Sequence, residues 1–487
     1  MLYEQTGSMN FSEMKGLSAQ IPENLRHLIF IFSIIGFGTK AGIIPLHTWL
    51  PKAHPAAPSN ISSLMSGVII KTGIYGFIRI SMDIMGHGPE WWGIAIIIIG
   101  AVTAVYGVLF ALMENDIKKL LAYSSVENIG IILLGIGASM IFKSHGLYNL
   151  SAIGLIAAFY HVFNHAMFKG LLFLGAGSVM HATHTKNMEK MGGLIKSMPY
   201  TSLFFLIGSV SICAFPPFNG FVSEWLTYQS LLLGFKSPSI TSKIVSPLGG
   251  AALAFTGALA AAGFVKAFGI SFLGMPRSNH AEDVKESSPT MIAGMAFLAV
   301  LCLVFGIFPG LVITTISPAS FPITGSHGVL SGKGFLHIGE TFSSLSPVAI
   351  LITMVIMFIA TVVFIRNVGG KRKTVYGDSW DCGIPSLNAR MQYTATAFIK
   401  PVKLIFKRIY LPRREIKVSY IVKPFFFVKS IKYSGEITPF FERYIYEPVT
   451  GFIHKIAGKV RVLQSGSLHL YLGYILVTLI LLLIFGT

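Results

Sequence analysis

Cysteine is almost missing from this sequence: Cys213, Cys302 and Cys382 are the only three in 487 residues, and none stands in a C-x-x-C pair. That excludes a disulfide framework, and with it an iron–sulfur or thiolate-metal site built from this chain alone. Charge is scarce as well. Charged residues make up 12% of the chain, against roughly 25% in an average soluble domain. Hydrophobic residues make up 53%, and the mean hydropathy is +0.68. One water-soluble core cannot hide so much apolar surface, so the bilayer must be the solvent for most of it. The segment MLYEQTGSMNFSEMKG is not expected to be a signal peptide either, because it has no basic stretch followed by an apolar one.

The charge that remains is unevenly placed. A net charge of +18 spread over a soluble surface would point to nucleic acid. Here eighteen Lys/Arg and six Asp/Glu lie between Lys371 and Arg461, so one stretch supplies two thirds of the excess. A basic segment beside membrane spans faces anionic lipid or a partner protein, and no nucleic-acid partner is expected.

Apolar runs long enough to span occur at 28–47, 61–82, 92–113, 119–142, 150–180, 199–219, 248–275, 290–316, 345–366 and 468–486. Backbone in hydrocarbon must bond to itself, so these are helices. The expected fold is an all-α polytopic membrane protein with about ten transmembrane helices. Lys118 and Lys119, then Lys186, Lys190 and Lys196, then Arg277 and Lys285, enrich alternate loops. The positive-inside rule puts those loops in the cytoplasm of a cell (inner) membrane protein, leaving residues 1–27 outside. The basic segment 367–467 is then cytoplasmic. Its phrases FIKPVKLIFKRIYLPRREIKV and FERYIYEPVTGFIHKIAGKVRVL alternate apolar residues with cations. They fit helices lying on the membrane or on a neighbouring subunit, and equally a loosely ordered connector.

An ionisable residue at the centre of a transmembrane helix costs about 2.5–3.5 kcal/mol on insertion scales, so it marks a functional position. Lys40 stands in the first run and Lys71 in the second. His161, His165 and Lys169 follow at i, i+4 and i+8, which puts them on one helix face. Glu224 follows the phrase CAFPPFNGFVS, and Lys266 lies in AAAGFVKAFG. Burial lowers the pKa of a lysine and a neighbouring carboxylate raises it, so a buried lysine with a changeable partner binds and releases a proton. Histidine titrates near neutrality unaided. Such a row, bridged by water, is a proton wire. Lys266 is close enough to a span end to snorkel instead.

Prolines mark two breaks. Pro45 interrupts the first run just after Lys40, and Pro216 and Pro217 interrupt the sixth just before Glu224. The phrases LHTWL and FVSEWL follow them. Paired, broken, ion-bearing helices are the sign of repeated transporter halves with a site near mid-membrane. Two other motifs carry nothing. GFGTKA has dinucleotide-loop spacing but lies inside a span. His181 and His184 lack a third metal ligand.

Four stretches in order, GTKAGIIPLHTWLPKAHPAAPSNISSLMSGVIIKTGIYGFIRI, NDIKKLLAYSSVENIGIILLGIG, FYHVFNHAMFKGLLFLGAGSV and FPPFNGFVSEWL, resemble the antiporter-like membrane subunits of respiratory complex I, Mrp-type sodium/proton antiporters and energy-converting hydrogenases. AHPAAPSN, SSVENIG and YGDSWDCGIPSLNARMQYTATAF are most similar to the hydrogenase-4 component B, or formate hydrogenlyase membrane-subunit, type. The resemblance implies the second half of an inverted-repeat antiporter-like fold plus a C-terminal extension. Residues 28–82 would be the remnant of a first repeat, 92–275 a second repeat, 290–366 additional helices, 367–467 the basic segment and 468–486 a last helix. It implies proton transfer through Lys40, Lys71, His161, His165, Lys169 and Glu224, driven by redox chemistry in other membrane-complex subunits, with no cofactor in this chain. Family members carry further helices before the lysine that matches Lys40, including a glutamate that pairs with it. The expectation is therefore a separate chain supplying those helices, or a truncated product. Sodium coupling, as in Mrp or NADH-quinone oxidoreductase relatives, and a non-conducting anchor are the alternatives.

Overall fold

Peptide groups in hydrocarbon have no water to bond, so each long apolar run closes its own hydrogen bonds as a helix. The computed structural model describes every residue except 1, 328–329, 333–334, 338–343, 369–376, 378–382, 384–386, 421–427, 438, 462–465 and 487. Cys382 and the start of the basic segment thus lie outside the described residues. The chain divides into two units, Met1–Lys400 and Pro401–Thr487.

The first unit is built from α1 (Glu23–Ala41), α2 (Leu50–Ala56), α3 (Ser59–Ile84), α4 (Glu90–Met113), α5 (Ile117–Ser144), α6 (Tyr148–Thr183), α7 (Pro199–Ile212), α8 (Asn219–Leu232), α9 (Ile240–Phe272), α10 (Pro289–Ile307), α11 (Pro309–Thr324) and α12 (Pro347–Val368). Helix α13 (Ala395–Ile405) contains the point of division. Among the described residues eight helices are long and apolar enough to cross a membrane: α3, α4, α5, α6, α9, α10, α12 and the C-terminal Leu468–Phe485. The other two apolar runs belong to α1 and α7, which stop at the two breaks.

Both breaks have local causes. Helix α1 ends where Gly42 turns left-handed at φ 82°, a conformation that costs glycine nothing. Pro45, without an N–H, follows in the connection to α2. Helix α7 ends at Cys213, Ala214 sits at φ 53°, and Pro216 and Pro217 lead into α8. The apolar run 28–47 therefore overstates the first helix by six residues. The run 290–316 is likewise two helices, because Pro309 cannot continue the ladder of α10 and instead opens α11.

Helix α5 is the axis of this unit and is enclosed over its whole apolar window. Small residues make that possible, because close backbone approach replaces the hydrophobic drive that lipid does not supply. On α4, Gly93, Gly100 and Gly107 recur every seventh residue and meet α5 at Gly137, Gly130 and Glu127. A Cβ at position 107 would stand 2.5 Å from the Glu127 nitrogen. On the other side of α5, a Cβ at Gly135 would stand 3.0 Å from the Gly154 carbonyl oxygen of α6. The N-terminus of α5 is capped by Asp116, whose Oδ1 accepts from the Lys118 and Lys119 amides at 2.9 and 3.2 Å. Apolar packing forms two clusters, one including Ile97, Leu134, Tyr160 and Leu226, the other Phe168, Phe173, Phe205 and Phe264. Helix α6 runs through both; His161, Asn164 and His165 fall between Tyr160 and Phe168, and Lys169 follows at once.

The second unit holds the end of α13, a β-hairpin of Arg413–Tyr420 with Val428–Glu436, α14 (Glu447–Val460) and α15 (Leu468–Phe485). The phrase FIKPVKLIFKRIYLPRREIKV is thus only half helical. Its second half, beyond Pro412, alternates Ile, Val and Tyr with polar residues at the period of a strand. On α14, Val449, Phe452, Ile453, Ile456 and Val460 make an exposed apolar stripe.

Candidate functional site

Helix α3 carries Lys71 two residues past the end of a π-helical turn, Met65–Ile69, a distortion that frees backbone groups and occurs often at functional positions. The Lys71 ammonium donates to the Ser66 carbonyl in that turn. The Ser66 hydroxyl is 2.7 Å from the Ser125 hydroxyl of α5, and Ser125 donates to the Leu121 carbonyl at 2.9 Å. Lys169 of α6 donates to the same Leu121 carbonyl at 2.9 Å and to the Ser124 hydroxyl. The two lysines, nearly a hundred positions apart in sequence, are therefore joined through one turn of α5.

The network continues away from Lys169. The Asn128 amide nitrogen donates to the Ser124 carbonyl at 2.8 Å, which fixes its oxygen toward His161 Nε2 at 3.1 Å. An amide oxygen only accepts, so in the neutral ring Nε2 carries the proton and Nδ1 accepts from Ser223, 3.0 Å away on α8. Asn164 ties the same corner, donating to the Asn219 carbonyl at 2.7 Å and to the Ser223 hydroxyl at 3.0 Å. Glu224 is the next residue of α8 and is buried. Its Oε2 faces α9 at a position without a side chain, since a Cβ on Gly257 would lie 3.9 Å from it. His165 lies between His161 and Lys169, fully buried, its ring 6.5 Å from that of His161. Neither His165 nitrogen meets a hydrogen-bond partner among the described residues, so its donor and acceptor capacity is open.

Two of the ionisable residues picked out from the sequence lie elsewhere. Lys40 is exposed on the last turn of α1 and does not join the row. Lys266 is buried, but its ammonium donates to the Leu112 and Glu114 carbonyls, each at 2.6 Å. It satisfies carbonyls at the end of α4, the position where a cation best complements a helix. Beside it, in the loop after α4, burial holds the Glu114 carboxyl above its ordinary range against the pull of Lys119. Pro45, Pro216 and Pro217 stand in the breaks as expected. Among the described residues no group of three or more His, Cys, Asp or Glu is placed to hold a metal ion.

Sequence reasoning missed the α5 contribution. Ser124, Ser125, Glu127 and Asn128 are all buried; Ser125 reaches α3, and Ser124 and Asn128 reach α6. Their signal was visible as four polar residues within SSVEN in an otherwise apolar run. With Glu127 included, the row holds two lysines, Lys71 and Lys169, and two carboxylates, Glu127 and Glu224. An unpaired buried charge costs several kcal/mol. A two-against-two set stays near neutrality while protons are redistributed within it.

Residues 1–235 match a family model described as NADH:quinone oxidoreductase/Mrp antiporter, transmembrane. Hydrogenase-4 component B of Escherichia coli is 38% identical over 99% of this chain and 72% of its own length. The chain belongs to this antiporter family. Formate hydrogenlyase subunit 3 of Escherichia coli is a second family relative, 35% identical over 87% of this chain and 67% of its own. Among solved structures, the membrane-bound sulfane sulfur reductase, an archaeal respiratory membrane complex, superposes with a TM-score of 0.77 at 27% identity. It covers 99% of this chain and 72% of that one. The antiporter-family segment 1–235 contains the whole row from Lys71 to Glu224, whereas Lys266 lies beyond it.

Proposed function

We propose that this chain is the proton-translocating membrane subunit of a membrane-bound hydrogenase complex of the hydrogenase-4 or formate hydrogenlyase kind. One observation carries the reading: a continuous buried network runs from Lys71 through Ser66, Ser125, Leu121, Lys169, Ser124, Asn128 and His161 to Ser223, beside Glu224. An amine, a neutral imidazole and a carboxylate each accept a proton from one neighbour, and their protonated forms pass it to the next. Water completes the gaps that backbone carbonyls, which only accept, leave in the chain. A change of charge at one end, imposed by redox chemistry in partner subunits, shifts where the protons sit. Release then follows on the side where Glu224 opens. In this reading the N-terminus lies outside the cell membrane and the basic segment inside.

The exposure of Lys40 supports a further membrane chain beside α1. A cation facing hydrocarbon costs about 2.5–3.5 kcal/mol, and a neighbouring helix bearing a carboxylate relieves it. The same row would also serve sodium/proton exchange in an Mrp-type or complex I-like assembly. Purification of the intact complex from its native membrane, identification of its chains and measurement of ion movement during turnover separate the readings. Co-purification with a hydrogenase large subunit and sodium-independent proton movement are expected. Strictly sodium-dependent flux, or an assembly without hydrogenase subunits, would overturn the proposal.

A further inference from the structure

Glu127 is a buried carboxylate inside the SSVENIG phrase, to which the sequence alone assigned no role. It is 1% exposed, and its Oε2 meets no hydrogen-bond donor among the described residues. Such a group left without a partner costs about 1–3 kcal/mol, and more when charged, so its place in the fully enclosed helix α5 needs a reason. Its position supplies one. Glu127 follows Ser124 by three residues and precedes Asn128, so it sits between the Lys169 contact and the His161 contact on the same helix. Lys169 of α6 and Glu224 of α8 both lie within its electrostatic reach. Cys213, at the end of α7, lies within reach of both carboxylates. From α4 the facing residue is Gly107, which brings backbone and no ionisable group against it.

We infer that Glu127 is the proton-carrying residue between Lys169 and Glu224. The hydrogen-bonded network itself ends at Ser223, a hydroxyl that does not store a proton, and Glu127, within reach of both Lys169 and Glu224, supplies a storing group between them. The step balances simply. The Lys169 ammonium gives a proton to the Glu127 carboxylate, directly or through one water, leaving an amine and a carboxylic acid. The Glu127 acid then gives that proton to the Glu224 carboxylate and returns to its anionic form. The two opposite charges on Lys169 and Glu127 vanish together in the first step, and reprotonation of Lys169 from the Lys71 side restores the pair after the second.

This inference rests on the proton-translocating reading, and the test keeps the two apart. In the assembled membrane complex, proton movement per hydrogen turned over is measured in sealed vesicles for Glu127→Gln, Glu127→Asp and Lys169→Ala. Glu127→Gln, with the shape kept and the acid removed, is expected to lower proton movement by about 10²-fold, the scale of one lost acid–base group, with hydrogen turnover retained. Glu127→Asp is expected to transport partially, with a displaced pH profile, which a packing role would not produce. Wild-type transport in Glu127→Gln together with failure in Lys169→Ala overturns the role of Glu127 and leaves the wider reading standing. Wild-type transport in both overturns both. If Glu127→Gln does not assemble, an undisplaced pH profile in Glu127→Asp overturns the inference.

Discussion

The spacing between α4 and α5 sets the geometry of the whole row, and Gly107→Ala tests it. A single methyl at this position would lie 2.5 Å from the Glu127 nitrogen, 2.8 Å from its Cα and 3.1 Å from its Cβ. Carbon contacts are comfortable at about 3.5–4.0 Å, so α5 must shift by roughly 1 Å at Glu127. It has little room to do so, because its far side is already against α6 at Gly135 and Gly154. Overpacking of this kind costs about 1–3 kcal/mol. The row is less tolerant than the fold. Its 3.1 Å link between Asn128 and His161 stops being a hydrogen bond after a shift of about half an ångström, and its 2.7 Å link between Ser66 and Ser125 after about 1 Å. A misplacement of about 1 Å costs on the order of 10²-fold in a rate that depends on alignment. The assay is proton movement per hydrogen in reconstituted vesicles, with thermal unfolding measured alongside. Gly269→Ala is the control, since a Cβ there meets nothing within 4 Å. Gly107→Ala should lose transport well before it loses assembly, and Gly269→Ala should match wild type. Transport at the wild-type level in Gly107→Ala would refute the claim that this helix spacing aligns the row.

Two further outcomes follow from the loop after α4. Lys266→Met removes the donor from two carbonyls, each worth about 1–3 kcal/mol when buried and unsatisfied. Thermal stability should fall while proton movement per hydrogen persists; the reverse pattern would place Lys266 in the pathway. Glu114 is a carboxyl raised above its reference value of 4.5, so its protonated form is the one favoured by folding. That contribution is complete below the reference value and is lost as the pH rises through the higher folded value. Glu114→Gln should therefore match wild type near pH 4 and unfold at a higher temperature at pH 7 and above, as measured by thermal unfolding in detergent. No difference at neutral pH would refute the burial argument.

Much of this was legible in the sequence, and the limits have physical causes. Hydrophobic runs find membrane helices because the bilayer demands length and apolarity. The i, i+4, i+8 spacing of His161, His165 and Lys169 finds their shared face because the helix period is fixed. Lys40 and Lys71 show what such patterns cannot settle. Both stand in apolar runs, yet one is exposed and the other buried, because burial depends on which neighbouring helices cover a face. Lys266 is similar: its acceptors, Leu112 and Glu114, lie about 150 positions earlier in the chain. Glu127 passed unnoticed because it stands among Ser124, Ser125 and Asn128 in a short polar run, where an acid reads as one polar residue of several. The division of 290–316 into two helices, and the hairpin inside the basic segment, were readable from Pro309 and from strand-period alternation. Length and hydrophobicity alone outvoted both.

Proton movement and hydrogen turnover measured together in the Lys169→Ala complex test the central claim most directly. Lys169 joins the Lys71 half of the network to the His161 half through Leu121 and Ser124. Its loss should abolish most proton movement and leave hydrogen chemistry with artificial electron acceptors largely intact. Equal loss of both activities would contradict the account and assign Lys169 to assembly; unchanged proton movement would show that protons take another route.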